Sequence, residues 1–273
     1  MSFVTAPRHP LTDGMAVAFV VAGLVAAPVH GAACSARSGP QTTPLVELYT
    51  SEGCSSCPPA DKWLSATFAK DSAGGAGIAL AFHVDYWDRL GWKDRFATPS
   101  YTERQYEGMR ANRARFVYTP QVLVQGRDFP QWQERRSAAA LAAFGAKPAR
   151  AEITLEALPE RGSIAVKAAA RVPSVADRKG AVLYVALADD GLASDVKAGE
   201  NAGARLVHDH VVRLFRAGPA LDANGDVKWS LALPLPSETG SAATVVAFVQ
   251  NPGAGDVLQA LGLPLTAACA PAR

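Results

Sequence analysis

The chain has 273 residues, of which 49% are hydrophobic and 19% are charged. This composition excludes an intrinsically disordered chain and a coiled coil, and the length favours two domains over one. The formal net charge is only +2. Lys and Arg are spread along the chain without forming a basic stripe, so nucleic acid is not an expected partner.

The first notable segment is an uncharged apolar run over residues 15–29. Fifteen apolar residues are too few to span a bilayer but suit the central part of a secretory signal peptide. Small residues follow at 31–33, so we predict a signal peptide over residues 1–33. An uncleaved anchor and lipidation of Cys34 are the alternatives. We therefore expect a periplasmic or secreted protein whose mature chain has no integral membrane span.

The four cysteines form two groups. Cys54 and Cys57 make a CxxC motif, whereas Cys34 and Cys269 lie near the two ends of the predicted mature chain. In an oxidising compartment we expect a structural disulfide between Cys34 and Cys269. Because it would close a very long loop, it would contribute about 5 kcal/mol through chain entropy. The alternative is a pair of unpaired, inert thiols.

The CxxC motif lies between a predicted strand at residues 45–50 and a predicted helix. Two consecutive prolines after Cys57 place the helix start at about residue 55 or 56, since proline is tolerated only in the first helical turn. Cys54 would then lie at the exposed helix end, where the partial positive charge favours a thiolate. We therefore predict that Cys54 is the attacking cysteine and Cys57 the resolving one.

The following segments alternate between strand and helix patterns. An unbroken apolar run at 78–84 predicts a strand covered on both faces, and the run at 121–125 predicts a further strand. A capping pattern at Ser100 predicts a helix that directs Tyr106, Met109 and Phe116 toward the core, and residues 135–144 predict an Ala-rich helix. This order is typical of an α/β layer.

Three motifs carry a family resemblance: VELYTSEGCSSCPPAD at 46–61, HVDYW at 83–87 and YTPQ at 118–121. Together with GENAG at 199–203 and HDHVVR at 208–213, they resemble secreted bacterial proteins catalogued as domain of unknown function 1223. The strand, the CxxC motif and the later Thr-Pro also resemble the thioredoxin superfamily.

The thioredoxin resemblance implies particular roles for residues outside the CxxC motif. It implies that Pro120, preceded by Thr119, is in the cis form, lies against the cysteines and contacts an extended substrate. The acid that assists proton transfer in thioredoxins has no clear match, because Glu47 is one position out of register. Two interpretations of Glu47 stay open, a proton acceptor or a solvent-facing residue at a sheet edge.

Two further sets of side chains are candidates for a functional site. Tyr86 and Trp87 follow the strand at 78–84, and we predict that they flank the cysteines and receive a peptide, with plain hydrophobic packing as the alternative. His208 and His210 are two apart on a predicted strand, which suggests copper or zinc, but a polar strand face is favoured. We interpret His83 as a core histidine. No metal site and no cofactor are predicted.

From residue 151 the sequence changes to short alternating runs separated by turn signals. The runs lie at 152–155, 163–167, 182–187, 205–214, 227–233 and 244–249. They predict an immunoglobulin-like or fibronectin-like sandwich in which nothing suggests catalysis. The predicted fold class is thus an α/β thioredoxin-like domain over residues 42–146, followed by a smaller all-β sandwich over residues 149–269, with a linker at 147–148.

These patterns favour an exported thiol–disulfide oxidoreductase that uses Cys54 and Cys57 on protein or small-molecule disulfides. Its expected partners are exported protein substrates or redox partner proteins. Two alternatives stay open. One is a periplasmic copper-binding protein, since soft thiolates favour Cu(I), and the other is a non-catalytic interaction module.

Overall fold

The structure, a computed structural model, describes residues 1–3, 33–69 and 77–265. Most of the predicted signal peptide and Cys269 lie outside these ranges, and with Cys269 the predicted Cys34–Cys269 pairing does too. Of the residues that the structure describes, 43% are in strands and 20% in helices. Within the same ranges, no helix combines the length and the apolar character that crossing a membrane requires.

The described residues form fourteen strands and four α-helices. The first half contains β1 (Cys34–Arg37), β2 (Leu45–Thr50), α1 (Pro58–Thr67), β3 (Ile78–His83), α2 (Pro99–Ala111), β4 (Gln121–Val124), β5 (Arg127–Asp128) and α3 (Ser137–Gly145). The second half contains β6 (Glu152–Glu160), β7 (Ser163–Arg171), α4 (Val175–Arg178), β8 (Val182–Asp190), β9 (Leu192–Asp195), β10 (Arg205–His208), β11 (Val211–Ala220), β12 (Asp226–Pro234), β13 (Ala242–Asn251) and β14 (Asp256–Leu265).

The main sheet has eight strands in the order β14-β13-β8-β11-β3-β2-β4-β5. β2 and β3 run parallel over their full length. β11 continues the sheet on the other side of β3 through a parallel pairing of Val211 with Ala81. Strands from both halves of the chain therefore share one sheet.

The predicted fold class, an α/β thioredoxin-like domain followed by a smaller all-β sandwich, is wrong. The chain is β-rich, and its eight-stranded sheet runs through both halves. One apolar cluster joins Leu45, Tyr49 and Phe82 of the first half to Tyr184 and Phe248 of the second. Both halves thus bury apolar surface against each other, and the boundaries at 42–146 and 149–269 stay predictions.

A second sheet packs on the part of the main sheet that the second half supplies. This sheet has the order β1-β6-β7-β12. Alternate side chains of β8, among them Leu183, Val185 and Leu187, face the second sheet, whereas Tyr184 lies in the cluster on the opposite face. Because side chains alternate along a strand, β8 is covered on both faces and carries an almost continuous apolar run.

The same alternation decides which side chains face α1. Val46 and Leu48 of β2 pack with Leu64 of α1, whereas Leu45 and Tyr49 lie on the opposite face of the sheet. The parallel strands β2 and β3 end at the same edge, and the CxxC segment follows β2 directly. The fold therefore places the two cysteines at the carboxyl ends of two central strands.

Two local expectations are wrong. Tyr106 and Phe116 are 37% and 68% exposed, because α2 turns Tyr101 and Arg104 to the core and ends at Ala111, before Phe116. The single strand expected over 205–214 is two strands, since a turn separates β10 from β11.

Candidate active site at the CxxC segment

The cysteines lie in a tight turn just before α1. Cys57 is the N-cap residue of α1, which begins at Pro58. The predicted helix start was therefore two or three residues too early. The amide of Cys57 donates to the carbonyl of Cys54 (3.1 Å). This turn brings the two Cα atoms to 5.4 Å, and the cysteines form a disulfide.

Both cysteines are inaccessible to solvent in the disulfide form. Cys54 and Cys57 are each 0% exposed, while Ser55 and Ser56 between them are exposed. The predicted exposure of Cys54 at the helix end is thus not observed in this form. Cys54 Sγ contacts Ser56 Oγ at 3.3 Å. Any exchange with a bulky disulfide requires a movement that uncovers Cys54.

A loop from the second half of the chain is held against the CxxC turn. We call residues 199–203 the cap loop. The side-chain amide of Asn201 donates to the carbonyls of Glu52 (2.8 Å) and Cys54 (3.0 Å). The carboxylate of Glu200 accepts from the amide of Ser55 (2.9 Å), and this hydrogen bond lowers the pKa of Glu200. Three hydrogen bonds therefore hold the cap loop against the CxxC turn.

Beneath the turn lies a buried ion pair between His83 and Asp94. His83 ends β3 on the face that carries Ala79 and Ala81, the face toward α1. His83 Nδ1 donates to Asp94 Oδ2 (2.7 Å), which also accepts from the amide of Glu52 (2.9 Å). Burial lowers the pKa of His83, but the charge and hydrogen bond of Asp94, together with the charges of Asp61 and Glu52, raise it above its usual value. Burial raises the pKa of Asp94, but His83 and the amides of Glu52 and Phe96 lower it below its usual value.

A second histidine, His208, lies between two carboxylates. His208 Nε2 is 3.3 Å from Glu52 Oε1, and His208 Nδ1 is 3.9 Å from Asp61 Oδ2. All three side chains are buried. Burial raises the pKa of Glu52, but contacts with His208, Ser194 and Trp92 lower it below its usual value. Burial raises the pKa of Asp61 more than the nearby histidines lower it.

The His83–Asp94 pair and the group of His208, Glu52 and Asp61 form one buried polar cluster. The rings of His83 and His208 meet edge to face with centroids 4.9 Å apart, and Phe96 packs against both. Among the described residues, His83 Nε2 and both ring nitrogens of His208 have no hydrogen-bond partner. We call His83, Asp94, His208, Glu52 and Asp61 the acid–histidine cluster. It collects five titratable side chains under the CxxC turn.

Comparisons with known proteins place the chain in a family. A family model described as a protein of unknown function, DUF1223, matches residues 45–250. The chain belongs to the DUF1223 family. The predicted family resemblance is thus confirmed. None of the curated proteins matches the chain.

Two solved structures resemble this DUF1223 chain. Protein AGR_C_4864 from Agrobacterium tumefaciens is 26% identical, with a TM-score of 0.56 over 83% of this chain and 96% of that one. HBP35 of Porphyromonas gingivalis is 16% identical, with a TM-score of 0.60 over 82% of this chain and 75% of that one. The second likeness concerns the fold alone.

The region matched to DUF1223 includes the cap loop and His208 as well as the cysteines. Sequence reasoning assigned no catalytic role to the second half, yet Glu200, Asn201 and His208 surround the CxxC turn. The GENAG and HDHVVR motifs contribute to the family resemblance but carry no sequence pattern that predicts a position beside the cysteines. No short-range signal connects them to residues about 150 positions earlier.

Trp87 lies between the CxxC turn and the Thr119–Pro120 segment. Its indole donates to Thr119 Oγ1 (2.7 Å), and a side chain at Gly53 would come within 3.1 Å of Trp87 Cβ. The Thr119–Pro120 peptide bond is cis. Tyr86 packs against the apolar cluster of the main sheet. Roles of these residues in substrate binding stay predictions.

Glu47 has neither of the two roles considered for it. It lies on β2, which is a central strand, and its carboxylate forms a buried ion pair with Arg104 (2.9 Å to Nε). Val46 and Leu48, its neighbours on the strand, face α1, so Glu47 faces away from the helix that carries Cys57.

The two histidines considered for a metal do not share a strand face. His208 ends β10, whereas His210 lies in the following turn with φ at +58°. In the part of the chain that the structure describes, no group of His, Cys, Asp and Glu has the arrangement to hold a metal ion.

Proposed function

We propose that the protein is an exported thiol–disulfide oxidoreductase in which Cys54 and Cys57 alternate between a dithiol and a disulfide. Its substrates would be disulfides or thiols of exported proteins or of small molecules. Cys54 would form the mixed disulfide with the substrate, and Cys57 would resolve it. A disulfide of this kind persists in oxidising compartments, which supports a periplasmic or secreted location.

The observation that carries this proposal is the disulfide between Cys54 and Cys57, which are only three positions apart in the chain. A bond between cysteines three positions apart closes a very small loop, so chain entropy gives it only about 2 kcal/mol of stabilisation. Its location beside the acid–histidine cluster, which can exchange protons, fits a redox function better than a structural one. Reduction and oxidation of a disulfide both require such proton exchange.

The proposal is tested by equilibrating the protein in glutathione redox buffers. A Cys34→Ser/Cys269→Ser variant restricts the measurement to Cys54 and Cys57. The fraction of dithiol is read by acid quenching, alkylation and mass spectrometry. We expect a potential between about −120 and −270 mV, the range of known exchange catalysts. A potential below about −300 mV, at which glutathione does not reduce the bond, would show a structural disulfide.

A trapping experiment tests the assigned roles. Cys57→Ser should accumulate mixed disulfides on Cys54 when the reduced protein meets exported proteins carrying disulfides, because the resolving thiol is missing. Cys54→Ser is the matched control and should accumulate fewer. Equal trapping by both variants would contradict the roles of the two cysteines.

A further inference from the structure

One member of the acid–histidine cluster, Asp61, lies on the helix that follows the cysteines. Asp61 follows Cys57 by four positions on α1, and its amide donates to the carbonyl of Cys57 (3.1 Å). Side chains four apart on a helix are neighbours, with Cβ atoms about 5–6 Å apart. The carboxyl group of Asp61 therefore lies on the same helix face as the sulfur of Cys57.

Among the described residues, no Lys or Arg forms an ion pair with Asp61. Asp61 is only 8% exposed, and His208 Nδ1 lies 3.9 Å from its carboxylate. His83 on β3 also faces it, while Glu52 and Asp94 bring further negative charge into the cluster, and Thr50 on β2 adds a hydroxyl. A carboxyl in these surroundings can change its protonation state at low cost.

We infer that Asp61 is the proton acceptor and donor for Cys57 during disulfide exchange. This inference rests on the proposed function. It differs from the sequence-based candidate, Glu47, which is paired with Arg104 on the opposite face of β2.

Resolution begins from a mixed disulfide between Cys54 and a substrate sulfur. The Cys57 thiol gives its proton to the Asp61 carboxylate. The Cys57 sulfur attacks Cys54 Sγ, a Cys54–Cys57 bond forms and the bond to the substrate breaks. The electron pair leaves with the substrate thiolate, which takes a proton from water. The substrate disulfide is reduced and the two cysteines are oxidised. In the reverse direction, protonated Asp61 returns its proton to Cys57.

The test follows oxidation of the reduced protein by excess glutathione disulfide. Formation of the mixed disulfide on Cys54 depends on glutathione disulfide concentration, whereas attack by Cys57 does not. Acid quenching and mass spectrometry separate the two steps through the mass of the glutathione adduct. All measurements use the full chain with Cys34 and Cys269 replaced by Ser.

In Asp61→Asn we expect the concentration-independent step to slow ten- to a hundredfold at pH 7, because a positioned general base is lost. The rate should then rise about tenfold per pH unit, since only spontaneously ionised thiol reacts. The concentration-dependent step should stay within threefold of the wild-type rate. Asp61→Glu should restore most of the lost rate and flatten the pH profile.

Asp189→Asn is the matched control. Asp189 is also buried, but it pairs with Arg213 on another part of the sheet. Its replacement should leave both steps unchanged. A folded Asp61→Asn variant with the wild-type rate and pH profile would overturn the assignment of Asp61. If both steps slow together in Asp61→Asn, the residue is structural and the inference also fails.

A measurement on the unmodified residue covers the case in which Asp61→Asn does not fold. Infrared difference spectra of reduced minus oxidised wild-type protein should show a carboxyl group that changes protonation with redox state, and the band should shift in Asp61→Glu. A spectrum without such a band contradicts the inference. If the wild-type protein does not react with glutathione disulfide at all, the proposed function itself fails, which is a separate outcome.

Discussion

Removal of the Asn201 side chain should open the cap loop. In Asn201→Ala, the carbonyls of Glu52 and Cys54 each lose one hydrogen bond. A hydrogen bond of this kind contributes about 0.5–1.5 kcal/mol, so the closed loop should lose about 1–3 kcal/mol relative to the open one. An equilibrium shift of this size corresponds to roughly 5- to 150-fold more open protein.

The assay is the rate at which a phosphine reductant cleaves the Cys54–Cys57 disulfide. Both cysteines are inaccessible when the loop is closed. When opening and closing are faster than cleavage, the observed rate follows the open population, and the variant should react roughly 5- to 150-fold faster. Asn224→Ala is the control, because Asn224 lies exposed in the turn between β11 and β12.

Urea unfolding of the same two variants separates local opening from loss of global stability. We expect the reduction rate of Asn201→Ala to rise well below the urea concentrations at which the protein unfolds. Reduction of Asn201→Ala at the wild-type rate would contradict opening of the cap loop. Rates that follow only the global free energies of unfolding would contradict it too, since the bond would then be exposed by unfolding alone.

Two further predictions concern buried charges. Arg104→Leu leaves Glu47 buried without its partner and should lower the free energy of unfolding by about 3–5 kcal/mol, whereas Arg104→Leu/Glu47→Leu should recover much of this loss in urea titrations. The raised pKa of His83 means that its pairing with Asp94 stabilises the fold fully below pH 6.5 and is lost as pH rises through the raised value. The stability difference between wild type and His83→Gln should therefore shrink from pH 6 to pH 9. A difference independent of pH would contradict this pairing.

Local elements could be predicted well from the sequence. The predicted strand over 45–50 coincides with β2, and the one over 78–84 exceeds β3 by a single residue. The prolines after Cys57 correctly indicated a helix start close to the CxxC motif. These features depend on residue types and periodicities within a few positions, so they are visible without knowledge of the rest of the chain.

The arrangement of the whole sheet could not be predicted in the same way. The continuity of the sheet depends on the pairing of Val211 with Ala81, residues far apart in the chain. The apolar runs of β3 and β8 indicate only that neighbours cover them, not which strands these are. The sequence therefore predicts an α/β layer followed by a separate sandwich where the strands of both halves share one sheet.

The candidate site as a whole could not be predicted from short-range patterns either. The acid–histidine cluster combines residues of the CxxC segment, of β3 with the loop that follows it, and of β10: Glu52, Asp61, His83, Asp94 and His208. One signal was available: Asp61 lies four positions after Cys57 on a predicted helix, which places it on the same face. No comparable short-range pattern connects His208 or Asn201 with the cysteines.

The junction between β3 and β11 has a practical consequence for work with fragments. A chain cut near residue 147 would remove β11, whose Val211 pairs with Ala81, and would turn that side of β3 into a sheet edge. Open strand edges with apolar faces recruit other chains, so this fragment should self-associate rather than persist as a monomer. It would also carry the two cysteines without Asn201 and His208. A unit that keeps the CxxC segment together with Asn201 and His208 therefore includes both halves of the chain.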